Sequence, residues 1–221
     1  METNQIYAHI DHTQLKAVTK WQDIKELCEE AIRYGTASVC VPPSYVARIH
    51  EAYGDKINIC TVIGFPLGYS TIQAKIAEIR QADSDGASEF DMVVNLGDVK
   101  NGDFALVTEE IKTLKQVAGA KILKVIIETC YLSEEEKIQL CKCVTDGGAD
   151  YIKTSTGFGT AGAQIDDIYL FRKHIGRDVK VKAAGGVKSR EDLELFLAAG
   201  CERIGTSSAV AILNREKAGG Y

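Results

Sequence analysis

What most constrains this chain is an alternation running along its 221 residues: short apolar runs, each stopped by glycine, proline or a charged side chain, take turns with stretches of helical periodicity. The runs are YAHID, SVCVPP, INICTVIGFP, EFDMVVN, KILKVIIET, YIK, VKVKAAGG and RIG. Helical patterns occupy residues 21–34, 45–54, 70–82, 103–117, 133–144, 165–174, 189–199 and 208–217. In the first of them Ile24, Leu27, Cys28, Ala31 and Ile32 recur on one face, the period of a helix packed on one side. Pro42 and Pro43 end the second run, because a proline has no N–H to continue a ladder. Ser133 followed by Glu136 opens the fifth helix with a capping box.

Strands this apolar, separated by helices of roughly 10 to 15 residues, are βα units, and they require parallel strands with both sheet faces covered. Eight such units predict a closed (β/α)8 TIM barrel. No linker-like stretch interrupts them, so residues 1–221 are read as one domain. The rival is an open doubly wound sheet. The chain lacks an early G-x-G-x-x-G, which excludes only the dinucleotide-binding class of that architecture.

Composition narrows the function. A formal charge of -5 leaves no electrostatic footprint for nucleic acid, and no stretch offers the roughly 18 uncharged apolar residues that would span a membrane. Seven scattered cysteines read as reduced thiols, and the opening METNQIYAHID carries no basic segment followed by an apolar run, so the expected compartment is the cytoplasm. The four histidines and the Cys141/Cys143 pair lack metal-ligand spacing, so no metal is expected.

Function in a barrel collects at the carboxyl ends of its strands, and four ions stand in or at the end of apolar strands here: Asp11, Asp91, Lys153 and Lys182. Each has a plain structural reading as well. Asp11 caps a turn or lines a site, and Lys182 shares its parity with Lys180, as a half-exposed strand would. The lysine pair is more informative. If the sixth and seventh strands are neighbours, Lys153 and Lys182 face one interior end. Two ammonium groups held close cannot both keep their protons comfortably, so a neutral amine arises near neutral pH. Such an amine attacks a carbonyl and forms a Schiff base, with Asp91 stabilising the remaining ammonium and relaying protons. AAGGVK at 183–188 and GTSSA at 205–209 follow the last two strands, where barrels bind phosphate on backbone N–H groups; a loop followed by a helix cap explains each equally well.

Eight segments together resemble the deoxyribose-phosphate aldolases, a family of class I aldolases: IDHTQL, SVCVPP, VIGFPLG, EFDMVVN, KVIIET, YIKTSTGF, VKAAGGVK and IGTSSAV. The resemblance implies reversible cleavage of 2-deoxy-D-ribose 5-phosphate to acetaldehyde and D-glyceraldehyde 3-phosphate, with no cofactor, by a homo-oligomer, a dimer being favoured. It implies that Lys153 carries the Schiff base, that Lys182 keeps that amine unprotonated and that Asp91 relays protons. It places Asp11 and Cys40 at the pocket wall and Thr156 against substrate. It assigns the phosphate to Gly157, Gly185, Gly186, Gly205, Ser207 and Ser208, with Lys188 at a commonly basic position. Tyr221 matches a tail tyrosine tied to proton transfer. Two departures stand out: Phe158, where some members carry lysine, and Gln164, where threonine is common. Another phosphosugar enzyme on the same barrel, or a phosphometabolite-binding protein without catalysis, are the alternatives.

Overall fold

The computed structural model describes residues 1–218. Eight parallel strands close into a barrel in chain order: β1 (Ile10–Thr13), β2 (Ser38–Val41), β3 (Ile59–Ile63), β4 (Glu89–Val93), β5 (Ile122–Ile126), β6 (Tyr151–Lys153), β7 (Lys180–Ala184) and β8 (Arg203–Thr206). The rival open sheet is thereby excluded, since β8 pairs with β1. The helices that cover the strands are α2 (Trp21–Tyr34), α3 (Val46–Tyr53), α4 (Ile72–Ser84), α6 (Phe104–Ala118), α7 (Glu134–Asp146), α8 (Ile165–His174), α9 (Arg190–Ala198) and α10 (Ala209–Ala218). Among the described residues, no helix is long and apolar enough to cross a membrane.

Two short helices escape periodicity analysis. α1 (Thr3–Tyr7) and α5 (Leu96–Asn101) span five and six residues, too few turns for an apolar stripe to repeat. α1 buries Ile6 and Tyr7, and the Tyr7 ring stacks on Tyr34 with centroids 4.8 Å apart.

The pleat sends successive side chains to opposite faces of each strand, and this sorting builds two interiors. Phe90 and Met92 of β4 join the apolar layer beneath the helices, together with Leu123 and Val125 of β5 and Ile152 of β6. The alternate residues Glu89, Asp91, Lys124 and Lys153 point to the barrel axis, where they contact one another. The expected capping box is present: Glu136 N donates to Ser133 Oγ at 3.3 Å, and Ser133 N donates to Glu136 Oε2 at 2.7 Å.

All seven cysteines are free thiols, and Cys130 alone of them is not buried. Burial pushes the Cys28, Cys141 and Cys201 thiols up to about 12. A thiol reagent at about pH 8 is therefore expected to modify Cys130 first, and these three only after denaturant is added. Mass analysis of digested peptides reads the order; fast modification of Cys28, Cys141 or Cys201 in the native protein would contradict this packing.

Candidate active site

Lys153 ends β6, and its Nζ lies 2.7 Å from Asp91 Oδ2. Lys182 is its register partner on β7; its Nζ lies 2.7 Å from the same oxygen and 2.5 Å from Asp11 Oδ2. Sharing one oxygen, the two nitrogens are no farther apart than twice that Asp91 distance. Lys124 on β5 reaches Glu89 Oε2 at 2.5 Å, Asp91 Oδ1 at 3.0 Å and Asp11 Oδ2 at 3.6 Å. Arg203 on β8 pairs with Asp11 and, at 3.0 Å, with Glu89. Four cations therefore surround three carboxylates along the barrel axis.

Burial alone would raise the Asp91 carboxyl, but Lys124, Lys153 and Lys182 together hold it well below the usual carboxylate range. Asp11 is likewise lowered, its burial outweighed by Lys182, Lys124 and Arg203. For Lys182 the balance runs the other way. Burial would push its ammonium down, yet Asp11 and Asp91 more than offset that and keep it above the ordinary lysine range. Direct repulsion between the two lysines is thus not the leading interaction at this end of the barrel, because a carboxylate bridges them. What remains is an excess of one positive charge over the whole cluster.

Above the cluster, at the carboxyl ends of the strands, opens a cavity of about 480 Å³. Lys153 lines it, as do Thr156, Gly157, Gly185, Gly186, Lys188, Gly205, Ser207 and Ser208. Gly162 permits the loops after β6 and β7 to touch: a Cβ there would sit 2.4 Å from the Gly185 carbonyl carbon. Ser207 and Ser208, which line the cavity with Lys188, immediately precede α10, so the start of a helix adjoins this space. Phe158 also lines the cavity and meets Phe65 edge-on, ring centroids 5.4 Å apart.

A family profile described as DeoC/LacD family aldolase matches residues 6–212. The chain belongs to this aldolase family. It is 63% identical, over all of both chains, to the deoxyribose-phosphate aldolase of Clostridium botulinum (strain Alaska E43 / Type E3). A solved structure from Coccidioides immitis superposes with a TM-score of 0.94 at 38% identity, covering 98% of this chain and 87% of that one. The tetrameric deoxyribose phosphate aldolase of Aeropyrum pernix follows with a TM-score of 0.91 at 30% identity, covering 98% and 92%.

Against that family, the aldolase's barrel sorts the expected site residues into two layers. Lys153, Thr156 and the glycine, serine and lysine positions of the phosphate loops meet at the cavity. Asp11 and Cys40, expected at its wall, lie beneath it and are fully buried. Asp11 is drawn down into the ion cluster by Lys182 and Arg203, and Cys40 packs with Cys60 and Val62 under Leu15 and Phe65. Tyr221 lies outside the described residues. Gln164 precedes α8 without a side-chain cap bond to it. Reading strand-end ions alone misses Lys124, Glu89 and Arg203, which complete the cluster, and Lys16, which lines the cavity with Lys153 and Lys188. The signal for Lys124 is present in the sequence, an ion set between Leu123 and Val125, and Glu89 shares the parity of Asp91; Arg203, between Glu202 and Ile204 at the start of its strand, carries no such signal.

Proposed function

We propose that this aldolase cleaves 2-deoxy-D-ribose 5-phosphate reversibly to acetaldehyde and D-glyceraldehyde 3-phosphate through a Schiff base on Lys153. One observation carries the assignment of the nucleophile. Lys124 touches three carboxylates and Lys182 two, whereas Lys153 touches Asp91 alone and is the one member of the cluster that lines the cavity. Lys124 and Lys182 are held in the ion cluster by two or more carboxylates each, which leaves the Lys153 nitrogen as the one placed to meet a carbonyl in the cavity.

The neutral Lys153 amine adds to C1 of the open-chain aldehyde, and loss of water from the carbinolamine leaves a protonated imine. The C3 hydroxyl then loses its proton, C3 becomes the carbonyl of D-glyceraldehyde 3-phosphate, and the electrons of the broken C2–C3 bond pass into the imine to give an enamine. Protonation at C2 and hydrolysis release acetaldehyde and restore the amine. The imine itself withdraws the electrons, so the scheme draws on no metal or organic cofactor. Asp91, kept ionised by its lysine neighbours, orients Lys153 and serves the proton relay. Gly157, Gly185, Gly186, Gly205, Ser207, Ser208 and Lys188 take the phosphate. We assign the enzyme to the cytoplasm on its free thiols, working as a homodimer.

The test is borohydride reduction in the presence of acetaldehyde followed by peptide mass analysis. A two-carbon adduct on Lys153 is expected. An adduct elsewhere, or none, would reject the assignment.

A further inference from the structure

Glu128 is not used by the mechanism above, yet the fold goes to some length to hold it. It follows β5 with φ 54°, and it is the one non-glycine residue with positive φ among the described residues. A side chain in that region is strained, and strain of this kind persists only where the surroundings over-determine it. Those surroundings are specific. Thr129 N donates to Thr154 O at 3.0 Å, tying the turn to the extension of β6. The Glu128 side chain is buried, Oε1 accepting from Thr156 N at 3.1 Å and Oε2 accepting from the Thr156 hydroxyl. Gly159 lets the loop close over this carboxylate, because a Cβ there would stand 3.1 Å from Glu128 Cδ and 2.8 Å from Cys130 Sγ.

The consequence falls on Thr156. A hydroxyl has one proton to give and two lone pairs to share. The Thr156 proton is committed to Glu128, and one lone pair already accepts from Phe158 N at 3.0 Å. What Thr156 presents to the cavity it lines is therefore an acceptor. We infer that Glu128 is a positioning and specificity-determining residue: it fixes the Thr156 hydroxyl as a hydrogen-bond acceptor, so that the site selects an aldehyde chain bearing a donor hydroxyl. This inference rests on the proposed reaction and adds to it the basis for recognising a hydroxylated substrate.

Acetaldehyde has no hydroxyl and deoxyribose 5-phosphate does, so the two probes separate this role from simple support of the loop. With Glu128→Gln, kcat/KM for deoxyribose 5-phosphate is expected to fall about tenfold or more through KM, the cost of one mis-set hydrogen bond. The rate of borohydride-trapped acetaldehyde adduct on Lys153 should fall at least fivefold less than that. Adding Glu128→Gln to Thr156→Val should cost little beyond Thr156→Val alone, since both remove the same interaction. Equal losses with both probes, or additive losses in the double variant, would overturn the inference. Circular dichroism establishes that each variant is folded. Glu128→Asp, which keeps the charge but is a methylene too short to hold both Thr156 groups, carries the same comparison should the amide fail to fold. Lack of an adduct in the unmutated protein would count against the Schiff-base reading itself; a normal adduct with no split between the probes would count against the role of Glu128 alone.

Discussion

Lys153→Ala is expected to lower cleavage of deoxyribose 5-phosphate by roughly 10⁴-fold or more, as loss of a covalent nucleophile does, without lowering the stability of the barrel. The two halves of that expectation come from the same geometry. Lys153 supplies the reacting amine, and it is also the cation in excess: without it, Lys124, Lys182 and Arg203 face Asp11, Glu89 and Asp91, three charges against three. Removing an ion from a buried cluster ordinarily strands its partner, but Asp91 keeps contacts to Lys124 and Lys182. The urea midpoint should therefore match or exceed that of the unmutated protein, with the same slope. A variant that is both inactive and markedly less stable would show that Lys153 holds the barrel together rather than reacting in it.

Asp91→Asn has the opposite balance and should harm the fold. The amide leaves Lys124, Lys153 and Lys182 crowded around a neutral group, four cations against two carboxylates. Removing one partner of a buried ion cluster costs about 3–5 kcal/mol, so a clear drop in urea midpoint is expected alongside a large loss of activity. The pH dependence of the unmutated protein follows from the same residue. Asp91 and Asp11 are both lowered in the folded state, so the folded state binds fewer protons than the unfolded one. Their stabilisation is present above the ordinary carboxylate range, near pH 4, and is lost as the pH falls through their lower folded values. Lys182, raised when folded, adds stability that is complete at neutral pH and is lost only as alkali passes above its folded value. Urea unfolding of both proteins at pH 7 and below 4 checks the sign: the gap between them should narrow in acid. A gap independent of pH would mean that the carboxylate charge of Asp91 is not what stabilises the barrel.

Much of this was legible in the residues. The eight apolar runs and their helices follow from hydrophobic period alone, since parallel strands covered on both faces are apolar throughout. Lys153, Lys182 and Asp91 announce themselves because an ion among residues such as Phe90, Met92 and Ile152 has to be paired or reach a polar cavity. The same rule applied evenly would have found Lys124 in KILKVII, and with it the fact that the lysine pair is bridged by carboxylates rather than left to repel. The placement of Asp11 and Cys40 beneath the cavity was not legible, because depth along the barrel axis depends on the stagger between strands, and a single sequence carries no register. Glu128 was hidden for a different reason. Its positive φ belongs to a backbone turn whose cause, the closing of the loop after β6 over a carboxylate, lies 28 residues away in the chain.

The barrel's second interior, filled with ions where many barrels stack aliphatic layers, has a thermal corollary. Water's hold on charged groups weakens on heating, so the penalty for keeping Lys124, Lys182, Asp11, Asp91 and Glu89 dry shrinks while the gain from aliphatic burial levels off. A centre built this way loses less of its cohesion between cool and hot conditions than an oily one of the same size.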